Sequence, residues 1–196
     1  MVRTKRRKRR AAEVRVKLPP ALEVGERWSI GFVSDQLADG RRFRVLTAVN
    51  HVSRECVCLK AAQSIPSQAV TQALDEAMDV YGQSEAMTIG QRAEFVCNHF
   101  DQWAYRRGIQ LDFITPGRPV ENGIIESFNG KLRDECLNLH WFESLAEAGA
   151  EIEAWREESN QARPHSSLGS RVPVQYIEEL LGIGAIPSRQ RARAQT

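Results

Sequence analysis

No apolar run in this 196-residue chain approaches the ~18 residues that a membrane-spanning helix needs, so no membrane contact of that kind is expected. The basic N-terminus lacks the apolar stretch of a secretory signal. Four cysteines, Cys56, Cys58, Cys97 and Cys136, are scattered, with no CxxC pair and no histidine at zinc spacing. A structural zinc site is therefore not expected, and reduced thiols in a cytoplasm are. There is no internal repeat. Aromatic residues make up only 7%, yet the hydrophobic fraction of 42% and charged fraction of 27% are those of a soluble globular protein, which excludes global disorder and fibrous classes. The length suits one domain of roughly 100–200 residues and is too short for two large ones.

The net charge of +2 conceals a split. Residues 1–17 hold nine Lys and Arg, among them Arg6, Arg7, Lys8, Arg9 and Arg10, against the single Glu13. Arg189, Arg191 and Arg193 make the other end basic, while residues 18–185 hold 15 bases and 24 acids. Basic tails on an acidic body suggest a polyanion met by the tails; the plainer reading is a solvated tail that keeps the chain soluble.

Pro19-Pro20 reads as an extended linker, since proline fixes its own φ and restricts its predecessor. Trp28–Ser34, Phe43–Val49 and Glu55–Ala61 read as strands, the first two joined by an Asp39-Gly40 turn, which makes an antiparallel meander. Cys56 and Cys58 then share one strand face as core residues. A helix over 64–81 ends at Gly82, with Val70, Leu74, Ala77, Met78 and Tyr81 on its apolar side. Ala86–Ile89 reads as a strand, Phe95–Arg107 as a helix, Ile109–Ile114 as a strand and Thr115–Pro119 as a loop. Helices over 120–137, 143–161 and 173–181 follow. Three antiparallel strands followed by β-α-β units predict an α/β fold with a mixed sheet covered on both faces. Patterning alone leaves the strand order open; right-handed crossovers allow one with the first and fourth strands adjacent at the centre.

Two stretches carry a family resemblance: Asp112 to Asn138, containing Asn122-Gly-Ile-Ile-Glu-Ser-Phe-Asn129, and Arg163-Pro-His-Ser-Ser-Leu-Gly169. Trp28-Ser-Ile-Gly-Phe32, Gly40–Leu46, Ser53–Cys56 and Trp103–Gly108 extend it upstream. The chain resembles the integrase core of bacterial insertion-sequence transposases, the retroviral-integrase-like group of DDE type. The resemblance covers roughly residues 3–176 and is far more specific than a single short motif. It implies a ribonuclease H-like fold with a five-stranded mixed sheet. It also implies three carboxylates binding two Mg²⁺ or Mn²⁺ ions that activate a nucleophile and stabilise the leaving oxygen of a DNA strand.

The catalytic positions implied by the family are Gly31, Gly90 and Glu126. Glu126 keeps its carboxylate and is the one implied metal ligand. An isolated helix Glu is ordinarily just solvated, but Asn122, Asn129 and Arg133 lie on the same helical face. Gly31 stands where the family has its first Asp, and Gly90 where it has its second. The 35 residues between Gly90 and Glu126 preserve the family spacing. Asp35 lies roughly 13 Å along the strand from Gly31, and Glu94 would have to fold back, so neither is a good replacement. Asn50-His51 stands where the family often carries acidic residues; His51 is read as a solvated turn histidine.

The expectation is a basic arm and linker over 1–20, an integrase core with C-terminal helices over 21–182, and a basic tail over 183–196. The protein is expected to reside in a bacterial cytoplasm, associated with the nucleoid. DNA is the expected partner, contacted by the arm and by Asn122, Lys131 and Arg133, with a second copy or an intact transposase as the alternative protein partners. With one carboxylate left, no metal is expected to bind and no strand chemistry to follow. The alternatives are a live strand transferase with a compensated site, and a non-enzymatic regulatory module. The arm should bind duplex DNA without sequence preference, through phosphates. Deleting residues 1–17 should therefore weaken DNA affinity and flatten its dependence on salt, as read from binding isotherms across a salt series.

Overall fold

The protein is described here by a computed structural model covering residues 18–115 and 119–182. The arm with Arg6–Arg10, the middle of the Thr115–Pro119 loop and the tail from 183 lie outside the described residues. β1 (Arg27–Gln36), β2 (Arg42–Asn50) and β3 (Cys56–Ala62) form the meander. The β1–β2 turn closes on Gly40, at φ +83°, a backbone that glycine adopts freely. α1 (Ser67–Tyr81), β4 (Ala86–Ile89), α2 (Asn98–Arg107) and β5 (Gln110–Phe113) then make two β-α-β units. α3 (Gly123–Glu135), α4 (Leu145–Gln161) and α5 (Pro173–Leu181) follow.

The sheet order is β3-β2-β1-β4-β5, with β1 antiparallel to β2 and parallel to β4. Strand alternation sorts the core into two layers. Trp28, Ile30, Met87, Ile89 and Leu111 pack with Leu74 of α1 and Phe100 and Trp103 of α2. Val33, Phe43, Val45 and Val49 pack with Ile125, Phe128 and Leu132 of α3 and Ile152 and Trp155 of α4. At the start of β1 the Arg27 guanidinium donates to the Pro19 carbonyl at 2.6 Å and pairs with Asp112 of β5 at 3.6 Å.

The element boundaries differ from the sequence reading where caps and turns intervene. α1 starts at Ser67, not 64, because Pro66 holds an extended backbone at the cap. Phe95 sits before α2 and stacks on Phe32 at 5.4 Å. A tight 3₁₀ turn, Pro119–Asn122, precedes α3, and a second, Leu137–Leu139, follows it, so α3 is shorter than expected. α4 begins after Ser144, whose hydroxyl accepts from the Glu147 amide at 3.1 Å, the usual way of satisfying an orphan helix donor.

Two expectations need correction. Cys56 and Cys58 do not share a face. The β2–β3 register shifts at Ala48/Val49, where β3 carries one residue too many. Such a bulge breaks the two-residue alternation, so Cys56 joins the α3/α4 core and Cys58 the α1/α2 core. His51 is not a solvated turn residue: its Nε2 shares a hydrogen bond of 2.6 Å with Ser29 Oγ.

Burial, then the charges of Arg27 and Arg54, pull the His51 pKa from 6.5 to about 4. The folded state therefore holds this imidazole neutral, while the unfolded chain protonates it. Its contribution is complete above the unfolded value of 6.5 and is lost as pH falls toward 4, because the unfolded state then binds more protons. The expected loss from this group is on the order of 2–3 kcal/mol. Urea unfolding of the wild type and of His51→Gln across that range checks it; the variant should show a shallower acid slope.

Candidate functional site

Ile30 pairs with Ile89 in the parallel register of β1 and β4. Gly31 follows Ile30 within β1, and Gly90 is the first residue past the end of β4, so the two follow a directly paired couple at the β1–β4 junction. The side chains of Ile30 and Ile89 belong to the α1/α2 core, so by alternation residue 31 addresses the α3 face. There, a Cβ on Gly31 would meet Asn129 Nδ2 and Ile125 Cγ1, each at 3.0 Å, and Thr47 Oγ1 at 3.4 Å. A Cβ on Gly90 would meet only Ile114 Cδ1, at 3.9 Å. Residue 31 is closed over by α3; residue 90 is open.

The polar groups near the glycines are hydroxyls and amides, and behind them Asp112, beside Thr88 in the β4–β5 register, pairs with Arg27. Thr47, Thr88 and Asn122 are buried, at 0%, 2% and 4% exposure. Thr47 Oγ1, Thr88 Oγ1, Asn122 Oδ1 and Asn129 Oδ1 are buried with no hydrogen-bond partner among the described residues. Such orphan groups are uncommon in folded proteins and cost free energy.

Glu126 lies on α3 between Asn122 and Asn129, one turn from each, and so shares their flank of the helix. It is exposed. Asn122 is buried rather than open to a nucleic acid: its Nδ2 approaches the Ile30 carbonyl at 3.5 Å and braces α3 against β1. Arg133 is exposed and donates to the Ser34 carbonyl at 3.3 Å, which holds it over the same strand two turns from Glu126. Lys131 is on another flank and lines a separate cavity. Gly31 lies under α3 with Asn122 bonded to the neighbouring Ile30 carbonyl; Gly90 follows the end of β4; Glu126 and Arg133 are exposed on α3; and Lys131 is apart.

Neither neighbouring carboxylate reaches the glycines. Glu94 forms an ion pair with Arg44, and Arg44 stacks over Phe32 at 4.1 Å, on the α1/α2 side of the sheet. Burial pushes the Glu94 pKa up, but the Arg44 hydrogen bond and charge outweigh that and leave it lowered. Asp35 bears electrostatically on Cys136, at the far end of α3. Ten residues of helix separate Cys136 from Glu126, a span of roughly 15 Å. Among the described residues no group of three or more His, Cys, Asp or Glu is arranged to hold a metal. The two glycines were recognisable from sequence, but nothing in it signalled that Asn129 and Ile125 settle on Gly31.

A chain with this sheet order, these crossovers and α3 packed on β1 has the architecture of a retroviral-type integrase core. Two family profiles, both for the Integrase core domain, match it over residues 21–119 and 107–173, and the chain belongs to that family. Within the family its relatives include proteins encoded by bacterial insertion elements. The 31.7 kDa protein of insertion element IS407 from Burkholderia multivorans is 43% identical over 175 residues, 88% of this chain and 62% of that protein. The 39.2 kDa protein of IS476 from Xanthomonas euvesicatoria is 42% identical, over 89% of this chain and 51% of that protein. The chain thus spans between half and two thirds of the length of these curated relatives. The HTLV-2 integrase catalytic core, solved in complex with magnesium, superposes with a TM-score of 0.59 at 16% identity, covering 79% of this chain and 97% of that one. That likeness fixes the ribonuclease H-like fold.

The two glycines should respond oppositely to a methyl group. Gly31→Ala should destabilise by about 1–3 kcal/mol, the usual penalty of overpacking, because Ile125 is 1% exposed and cannot withdraw. Gly90→Ala should be neutral or stabilise by about 0.4–1 kcal/mol through the unfolded chain. Chemical denaturation of the two variants measures both.

Proposed function

We propose that this chain is a transposase-type integrase core that binds DNA and does no strand cleavage or joining. The observation that supports the reading is glycine at both 31 and 90, directly after the paired Ile30 and Ile89 of β1 and β4, where a two-metal site of this family would need carboxylates. Mg²⁺ and Mn²⁺ demand hard, preferably anionic oxygens, and Mg²⁺ gives up its waters reluctantly. The donors around the glycines are the Glu126 carboxylate, Thr47 and Thr88 hydroxyls and the Asn122 and Asn129 amides, while the Asp112 carboxylate beyond Thr88 is engaged by Arg27. This set does not fit a pair of dications. The engagement of Glu94 with Arg44 and the distance of Asp35 weigh against compensation from nearby.

DNA binding rests on different residues. Arg133 is held over β1 by Ser34 and keeps its remaining donors free for a phosphate, and the basic arm adds contacts that need no sequence preference. Under this reading the partners are DNA and, as protein partners, a second copy or an intact transposase. A two-metal centre acts on both the attacking and the leaving oxygen, and every 1.36 kcal/mol of lost stabilisation slows the reaction about tenfold. The residual rate should therefore be undetectable. In a Mn²⁺ titration read by paramagnetic relaxation, the wild type and each single variant, Gly31→Asp or Gly90→Asp, should show no tight binding. The double variant should recover it. Metal-dependent nicking of a DNA 3′ end by the unmodified chain, abolished by Glu126→Gln, would overturn this reading.

A further inference from the structure

A second polar centre lies on the other flank of α3. Arg54, Ser127, Lys131, His165, Ser166 and Ser167 contribute to the lining of a cavity of about 250 Å³. Ser127 and Lys131 are one turn apart on α3. The other residues come from the β2–β3 turn and from the bend before α5, so three distant segments converge. Three of these side chains are basic and three carry hydroxyls, and no carboxylate among the described residues lines the cavity.

The turn that presents Arg54 is tightly held. Asn50 Oδ1 accepts from the amides of Val52 at 2.9 Å and Ser53 at 3.1 Å, and the Asn50 carbonyl accepts from the Arg54 amide at 3.1 Å. Arg54 is thereby kept at φ 60°, a left-handed backbone that residues with a Cβ disfavour. One of its terminal nitrogens, Nη1, is buried with no hydrogen-bond partner among the described residues. Nearby Arg163, by contrast, is neutralised by Glu135 and Glu158.

His165 supplies an independent sign. It is 8% exposed, lines the cavity, and its Nε2 is buried without a hydrogen-bond partner among the described residues. Burial lowers its pKa, and the charges of Lys131, Arg163 and Arg54 lower it further. The imidazole thus sits in a positive field that no described residue lining the cavity offsets. Buried polar atoms and converging cations without acceptors are what a missing anion leaves behind.

We propose that this cavity is an oxyanion site that takes a phosphate group, with charge from Arg54 and Lys131 and hydrogen bonds from the surrounding serine hydroxyls. Donors arriving from three segments suit the oxygens of a tetrahedral phosphate better than a planar carboxylate. The phosphate is either a phosphodiester of a nucleic-acid backbone or a free phosphate. The first source rests on the DNA-binding reading above; the second does not.

The test uses the whole 196-residue chain. Inorganic phosphate is titrated at low ionic strength and followed through backbone amide resonances. Saturable shifts are expected at Ser127, Lys131, Ser166 and Ser167. Arg54→Asn, chosen because Asn tolerates the left-handed backbone, combined with Lys131→Gln, should weaken phosphate binding about tenfold or more. Arg106→Gln, a loss of charge on exposed α2 surface, should not. Melting curves establish that the variants fold, and the wild-type shift map decides the matter if they do not. A parallel loss of duplex DNA affinity in the double variant assigns the phosphodiester source; a loss confined to inorganic phosphate assigns the free anion. A chain that binds no DNA but shows the phosphate shifts overturns the DNA-binding reading and leaves this site standing. Phosphate shifts that are unsaturable or scattered away from these amides overturn the site itself.

Discussion

Helix α3 rests on the centre of the sheet at a place where β1 has no side chain. Ile125 and Asn129 come within 3.0 Å of the point a Cβ on residue 31 would occupy, closer than most packed side chains come. Ile125 also belongs to the core formed with Val33, Val45, Phe128 and Trp155. The height of the helix above the strands is thus coupled to the whole α3/α4 layer. It also sets what each flank of α3 presents: Glu126 and Arg133 over β1 on one side, Ser127 and Lys131 toward the cavity on the other.

Two opposed effects meet at this junction. Glycine at 31 and 90 brings no like charges together there. The neighbouring hydroxyls and amides have no hydrogen-bond partners among the described residues, which works the other way. α3 makes close dispersion contact over Gly31, whereas at Gly90 a Cβ would meet only Ile114. The fold draws its stability from the two apolar layers, not from the polar seam between them.

Much of this was legible in the sequence because the relevant signals are local. Alternating strands, the Asp39-Gly40 turn and the helix ending at Gly82 mark the meander and the first crossover. The expectation that residues 31 and 90 lie near each other came from the family resemblance and the 35-residue spacing to Glu126, not from pattern along the strands. The strand order came from the family resemblance, since hydrophobic pattern does not say which parallel strands adjoin. The bulge at Val57 escaped notice because one extra residue leaves no compositional trace, and that reversed the reading of Cys56 and Cys58. The burial of His51 and Asn122 depends on partners 22 and 92 residues away, Ser29 and Ile30. The cavity around Arg54 and His165 is assembled from three segments, none of which is distinctive of a site by itself.

The bond from Arg27 to the Pro19 carbonyl and the ion pair of the same guanidinium with Asp112 place one side chain between the segment before β1 and the strand at the far side of β4. Tension applied to the chain at Pro19 is thereby passed through Arg27 to β5 as well as to β1. Strands that are linked in this way must part together, which takes more work than peeling β1 from one neighbour at a time. The clasp is a mechanical feature of the sheet, separate from the packing of its two apolar faces.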